Sequence, residues 1–152
     1  MTFAESEGEK KLANLPYTFY VQAGDGGPHS PWTKVRMGSR VPVYVGKDAG
    51  MQYVDVGTNI DARGFAEEGG RFEVNLGLER SWVERDVAVP VEKATGNPTV
   101  GSSGQFYEPV IRQFKTEIVL TLKDGQTIQT TQAADPLSGR ILTITVTMTV
   151  VK

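Results

Sequence analysis

The residues that could do chemistry are few and lie far apart along the chain. The only histidine is His29, in a stretch rich in glycine and proline, with Ser30 next to it. A serine nucleophile needs a histidine base within hydrogen-bond reach and a third group that orients the base. Adjacent residues of a chain cannot face each other in this way. We therefore interpret His29 as a solvated loop residue and expect no catalytic residue.

Asp55, Asn59 and Asp61 share one face of a predicted strand. Such a set could coordinate Ca²⁺ or supply the paired carboxylates of a glycosidase. A strand rises ~3.3 Å per residue, so Asp55 and Asp61 lie about 20 Å apart and cannot share one ion. The GDGG sequence of residues 24–27 lacks the Lys-Ser/Thr pair and the following helix of a phosphate loop. The sequence therefore predicts no metal site and no cofactor.

Composition narrows the class of protein further. The chain has 152 residues, enough for one domain, and no cysteine, which excludes disulfides and zinc-thiolate sites. A net charge of -2 argues against nucleic-acid binding. No apolar run approaches the roughly 18 residues that a membrane helix needs. The polar start, MTFAESEGEKK, is unlike a signal peptide, so we expect either a cytoplasmic protein or a mature form from which a signal peptide has been removed.

Two long alternating segments dominate the rest of the chain. Residues 108–129 place Phe114, Thr116, Ile118, Leu120 and Leu122 on one face and end in an Asp-Gly turn. Residues 140–152 alternate apolar side chains with threonines; the threonines fit an ordinary exposed strand face better than a lattice-binding surface. We expect these two segments to form the centre of one sheet, with residues 126–131 returning antiparallel to the first.

The other segments complete an all-β pattern. Residues 51–63 and 71–83 alternate and are joined by a Glu-Gly-Gly turn, whereas residues 32–45 contain Gly38 and Pro42 and read as an edge or bent strand. Residues 84–107 read as a long loop and residues 1–15 as a flexible arm with room for a short helix at 7–12. The prediction is an antiparallel β-sandwich or flattened barrel of about six to eight strands, without a long helix, formed by residues 16–152.

Apolar and aromatic side chains near the predicted edge and loop are the candidates for contact with a partner. Aromatic residues at strand ends could also be lids over the core or line a ligand pocket. The candidate interaction residues are Trp32, Val41, Val43, Val45, Trp82, Phe106 and Tyr107.

Four segments, in this order, resemble the C-terminal secretin domain of type II and type III secretion and type IV pilus outer-membrane channels. They are GSRVPVYVG at 38–46, YVDVGTNIDAR at 53–63, RFEVNLGLERSWV at 71–83 and PVIRQFKTEIVLTLKDGQTI at 109–128. After Thr127 the chain departs from the family, because the polar residues 129–132 stand where secretins have an apolar segment. The resemblance also extends to short, single-domain secretin-like proteins. It implies an assembly module, and the alternation of apolar with polar residues shows no lipid-facing belt.

The sequence and the resemblance together predict a non-enzymatic binding and assembly module of the bacterial cell envelope. Its partners would be further copies of itself or an envelope protein, contacted through the 32–45 edge and the 84–107 loop. The alternative is a β-sandwich or barrel that binds a small ligand or a carbohydrate. An enzyme is the least favoured class, because one loop histidine and scattered carboxylates do not assemble an acid, a base and a nucleophile.

Overall fold

Alternating apolar and polar residues give the chain an all-β fold, as predicted. The computed structural model describes residues 1–24, 30–44, 51–89, 106–134 and 139–151, and these contain nine strands and no helix. The strands are β1 (Thr2–Glu7), β2 (Lys10–Pro16), β3 (Ala23–Gly24), β4 (Thr33–Tyr44), β5 (Met51–Glu67), β6 (Arg71–Val89), β7 (Phe106–Lys123), β8 (Thr127–Ala134) and β9 (Arg140–Thr147).

The strands form two open sheets. One sheet has the order β2-β1-β9-β8, and all of its neighbouring strands are antiparallel. The other has the order β3-β5-β6-β7, and β4 also pairs with β5. The short strand β3 pairs in parallel with β5 at Gly64 and Phe65. Two open sheets are the layers of a β-sandwich rather than of a closed barrel.

The chain folds as two compact units. Unit 1 comprises Met1–Val35, Ile60–Leu78 and Thr116–Lys152, and unit 2 comprises Arg36–Asn59 and Glu79–Lys115. The predicted boundary between residues 15 and 16 does not divide the fold, because the residues on both sides of it belong to unit 1.

The buried hydrophobic core of the described residues lies in unit 1, and both sheets contribute to it. From the first sheet come Phe3, Leu142, Ile144 and Val146, and from the second come Ile60, Ala62, Leu76, Leu78 and Leu122. The alternation predicted for β7 and β9 is confirmed, since their apolar sets face inward. Removal of this apolar surface from water is the main force that holds the two layers of unit 1 together.

The prediction of a flexible N-terminal arm is wrong. Residues 2–16 form a β-hairpin, and β1 lies between β2 and β9, with Phe3 opposite both Leu15 and Ile144. No helix forms at residues 7–12, because Gly8 adopts a φ of 57° in the turn between the two strands. Strand β1 was hard to predict because its second inward-facing residue is Glu5. A glutamate normally indicates an exposed position, yet Glu5 is buried.

The expectation that residues 108–129 and 140–152 together form the centre of one sheet is also wrong. Strand β9 lies inside the first sheet, whereas β7 lies at the end of the second. The Asp124-Gly125 turn carries the chain from one sheet to the other, and β8 then pairs with β9 from Thr127 opposite Thr147. Gly125 has a φ of 74°, and the turn is closed by a 3.0 Å hydrogen bond from the Gln126 amide to the Lys123 carbonyl.

Candidate functional site

Strand β4 is an edge strand, as the sequence indicated. Among the strands of the described residues it pairs with β5 alone. In its unit 2 portion Val41 and Val43 are half-buried, Pro42 is exposed and Met37 is 63% exposed. Val45, the remaining candidate on this edge, lies outside the described residues. The edge therefore offers main-chain groups flanked by partly exposed apolar side chains.

Two glycines explain how closely β4 approaches β5. A Cβ atom on Gly38 would lie 2.8 Å from the Val56 carbonyl oxygen, and one on Gly57 would overlap the Met37 carbonyl group. Any side chain at Gly57 would thus push the two strands apart. The two glycines, one in each strand, lie opposite each other across this strand pair.

Unit 2 also contains an open groove with a volume of about 640 Å³. The lining of this groove comes from the unit 2 portions of β4, β5, β6 and β7. The side chains that can bind a ligand there are Arg36, Arg40, Asp55, Asn59, Glu79, Ser81, Ile111 and Gln113.

The charges of the groove balance. Its lining contains two arginines and two carboxylates, and Arg40 Nε lies 3.2 Å from Asp55 Oδ1. Both side chains of this pair are more than three-quarters exposed, so the pair contributes little stability and can open to a ligand. Gln113 donates to Glu79, and Ser81 Oγ accepts the Gly57 amide at 3.1 Å. A neutral ligand with several hydroxyl groups would match this lining better than a charged one.

The two tryptophan candidates belong to different units. Trp32 belongs to unit 1 and is 46% exposed, and the Arg63 guanidinium carbon lies 4.7 Å from its ring centre. Trp82 belongs to unit 2, is half-buried and has Arg80 stacked at 5.0 Å. Phe106 and Tyr107 begin β7, but their side chains lie outside the described residues, as does most of the predicted 84–107 loop. The ends of that loop are strand, since β6 continues to Val89 and β7 begins at Phe106.

Sequence reasoning missed the residues that the fold brings together across strands. Ser81 and Gln113 looked like ordinary polar positions, and only the pairing of β5, β6 and β7 places them beside Asp55. Arg63 and Phe65 are two residues apart on β5, a spacing that could have indicated a shared face, but their proximity to Trp32 depends on tertiary structure.

Of the two residues that could have formed a catalytic pair, Ser30 has a structural role and His29 lies outside the described residues. Ser30 is buried, and its Oγ donates to the Gly64 carbonyl at 2.8 Å, so it is not presented as a nucleophile. His29 falls in the undescribed range 25–29. Within the described ranges, no three His, Cys, Asp or Glu side chains cluster as metal ligands. The same ranges hold no helix with the length and apolar character needed to cross a membrane.

Comparison of the chain with protein-family models, with curated proteins and with solved structures found no match.

Proposed function

We propose that this chain is a non-enzymatic binding and assembly module that docks through the edge strand β4. The observation that carries the proposal is that β4, twelve residues long, has β5 as its one neighbour among the described strands. An edge of this kind presents alternate main-chain N–H and C=O groups, which an added strand satisfies. Partly exposed Met37, Val41 and Val43 supply apolar contact beside those groups.

The charge of β4 favours one mode of addition. Residues 33–44 contain Lys34, Arg36 and Arg40 and no acidic residue. Pairing of β4 with β4 of a second copy would bring these cations together, and like charges across a strand pair are destabilising. Among the described strands, β7 ends the other side of the same sheet, and its charges are mixed, with Glu108 and Glu117 against Arg112, Lys115 and Lys123. Addition of β4 to β7 of the next copy avoids the pairing of β4 with itself, so we propose this head-to-tail mode, which builds a ring or a filament.

The test places charge on the proposed edge. Val43→Asp and Met37→Glu would each bury a carboxylate in the new strand pair, and we expect either change to abolish the assembled species in sedimentation velocity. Val151→Asp is the matched control, because Val151 is 71% exposed and follows the last strand. Loss of assembly in the first two variants alone supports docking through β4. Assembly that persists in both would contradict it.

Placement in the bacterial cell envelope is the part of the proposal that rests on the resemblance to secretin domains. The Val41-Pro42-Val43 element of β4 is one of the segments that carry this resemblance. An envelope protein partner would then add its own strand to the same edge. Crosslinking from a photoreactive residue at Met37 in a bacterial envelope fraction, compared with the same residue at Val151, tests this directly.

A second candidate function is the binding of a small uncharged ligand or a carbohydrate, and the unit 2 groove favours it. Asp55, Asn59 and Ser81 line this groove, and their carboxylate, amide and hydroxyl groups can hydrogen-bond to the hydroxyl groups of such a ligand. A ligand would raise the free energy of unfolding by RT ln(1 + [L]/Kd) while the protein stays monomeric. Thermal unfolding against a panel of neutral sugars, with Asn59→Ala as the comparison variant, distinguishes this function from assembly.

A further inference from the structure

A second surface, in unit 1, is built around Arg63. Its guanidinium carbon lies 4.7 Å from the ring centre of Trp32 and 5.0 Å from that of Phe65. Phe65 follows Arg63 by two residues on β5, so both side chains lie on the same side of the sheet. The guanidinium is therefore held by two aromatic rings rather than free to rotate in solvent.

Short polar contacts fix the chain around this arginine. Ser30 Oγ donates to the Gly64 carbonyl at 2.8 Å, which ties the segment before Trp32 to β5. Thr33 Oγ1 donates to the Tyr20 carbonyl at 2.8 Å, which brings Tyr20, 79% exposed, close to Trp32 in the chain fold. Arg63 thus lies against two aromatic rings, of which that of Trp32 belongs to a residue that is 46% exposed.

The hydrogen bonding of Arg63 is incomplete. Its Nε is buried and donates to no acceptor within the described part of the chain. The residue as a whole is half-buried, so part of it is accessible from outside. Of its three guanidinium nitrogens Nε is the one that is buried without a partner, and the two Nη groups form the end that can bind a carboxylate through two parallel hydrogen bonds.

We infer that Arg63, Trp32 and Phe65 form a recognition site for an aspartate or glutamate side chain of a protein partner. Charge complementarity selects the carboxylate, and the rings hold the guanidinium in place before binding, which reduces the conformational entropy lost. Arginine, tryptophan and tyrosine are also the residues most enriched at the energetic centres of protein interfaces. This surface goes beyond the proposed edge-strand function, because it lies in unit 1, whereas the Arg36–Val43 portion of β4 lies in unit 2.

The test uses a terminally blocked five-residue peptide with a central glutamate flanked by valine and threonine, and its glutamine counterpart. Each is titrated into ¹⁵N-labelled full-length protein while the Arg63 Nε–H and Trp32 indole N–H resonances are followed. We expect saturable shifts with the glutamate peptide and roughly tenfold to hundredfold weaker binding of the glutamine peptide. Equal affinity for the two peptides, or no shift up to about 10 mM, would overturn the inference.

Variants locate the site. Arg63→Gln should remove the preference for glutamate, and Arg63→Lys should retain only part of it, because an ammonium cannot make the two parallel bonds. Arg80→Gln is the matched control, since Arg80 also stacks on a tryptophan, but in unit 2. A preference that is unchanged in Arg63→Gln would overturn the assignment. Val43→Asp should leave peptide binding intact. The carboxylate site can therefore fail its test while edge-strand assembly holds, and edge-strand assembly can fail while the carboxylate site holds.

Discussion

Glu5 is a buried carboxylate, with only 6% of its side chain exposed, and Arg140 Nη1 lies 3.4 Å from its Oε1 atom. Removing one partner of a buried ion pair leaves the other charge enclosed without its counterion. We predict that Arg140→Leu lowers the free energy of unfolding by about 2 kcal/mol or more. The measurement is urea unfolding followed by circular dichroism.

A double variant provides the control for that prediction. In Glu5→Leu/Arg140→Leu both charges are absent, so most of the loss should be recovered, because two apolar side chains can fill the same space. If the double variant is as unstable as the sum of the two single changes, the charges are not coupled and the account of this pair is wrong.

Gly57 gives a second prediction at the scale of one residue. A methyl group there would overlap the Met37 carbonyl of β4, so Gly57→Ala should cost at least about 2 kcal/mol and should loosen the edge strand. Gly77→Ala on β6 is the matched control, because the nearest atoms to its added Cβ lie 3.8 Å away, an ordinary contact distance. Equal stability of the two variants in urea unfolding would argue against the close approach of β4 and β5.

At the scale of structural elements, the hairpin β1–β2 was not predicted from the sequence, which indicated a flexible arm. Phe3 is fully buried, and β1 pairs with β9 from Thr2 to Glu7. We predict that Phe3→Ala costs about 3–5 kcal/mol, whereas Leu12→Ala on the partly exposed strand β2 should cost much less. Unfolding midpoints of the two variants measure the difference. A tolerated Phe3→Ala would restore the interpretation of residues 1–15 as a dispensable arm.

The sequence was sufficient for strand identity and for most strand faces, because period-two alternation is a local property. It predicted the inward faces of β5, β7 and β9, and the edge character of β4 followed from Pro42. It was insufficient for sheet assignment. The Asp124-Gly125 turn looks the same whether the next strand returns to β7 or crosses to the other sheet. The groove was not predictable for the same reason, since its residues meet only through strand pairing.

On the scale of the whole molecule, the two units differ in how much apolar surface they bury. Every fully buried hydrophobic residue of the described chain belongs to unit 1. Local opening is easiest where few apolar contacts must be broken. We predict that amide hydrogens of Val54 and Val56 in unit 2 exchange faster than those of Ile60 and Ala62 on the same strand. Uniform protection along β5 in hydrogen-exchange NMR would contradict this.

Assembly through β4 is the central claim, and the absolute mass in solution tests it most directly. Light scattering after size exclusion should be recorded from about 1 to 100 µM, a range that brackets the affinities of weak and moderate protein complexes. The account predicts species at multiples of the 16.6 kDa chain whose fraction rises with concentration. A mass of 16.6 kDa at every concentration would contradict self-assembly and would favour an envelope partner on β4 or a small ligand in the groove.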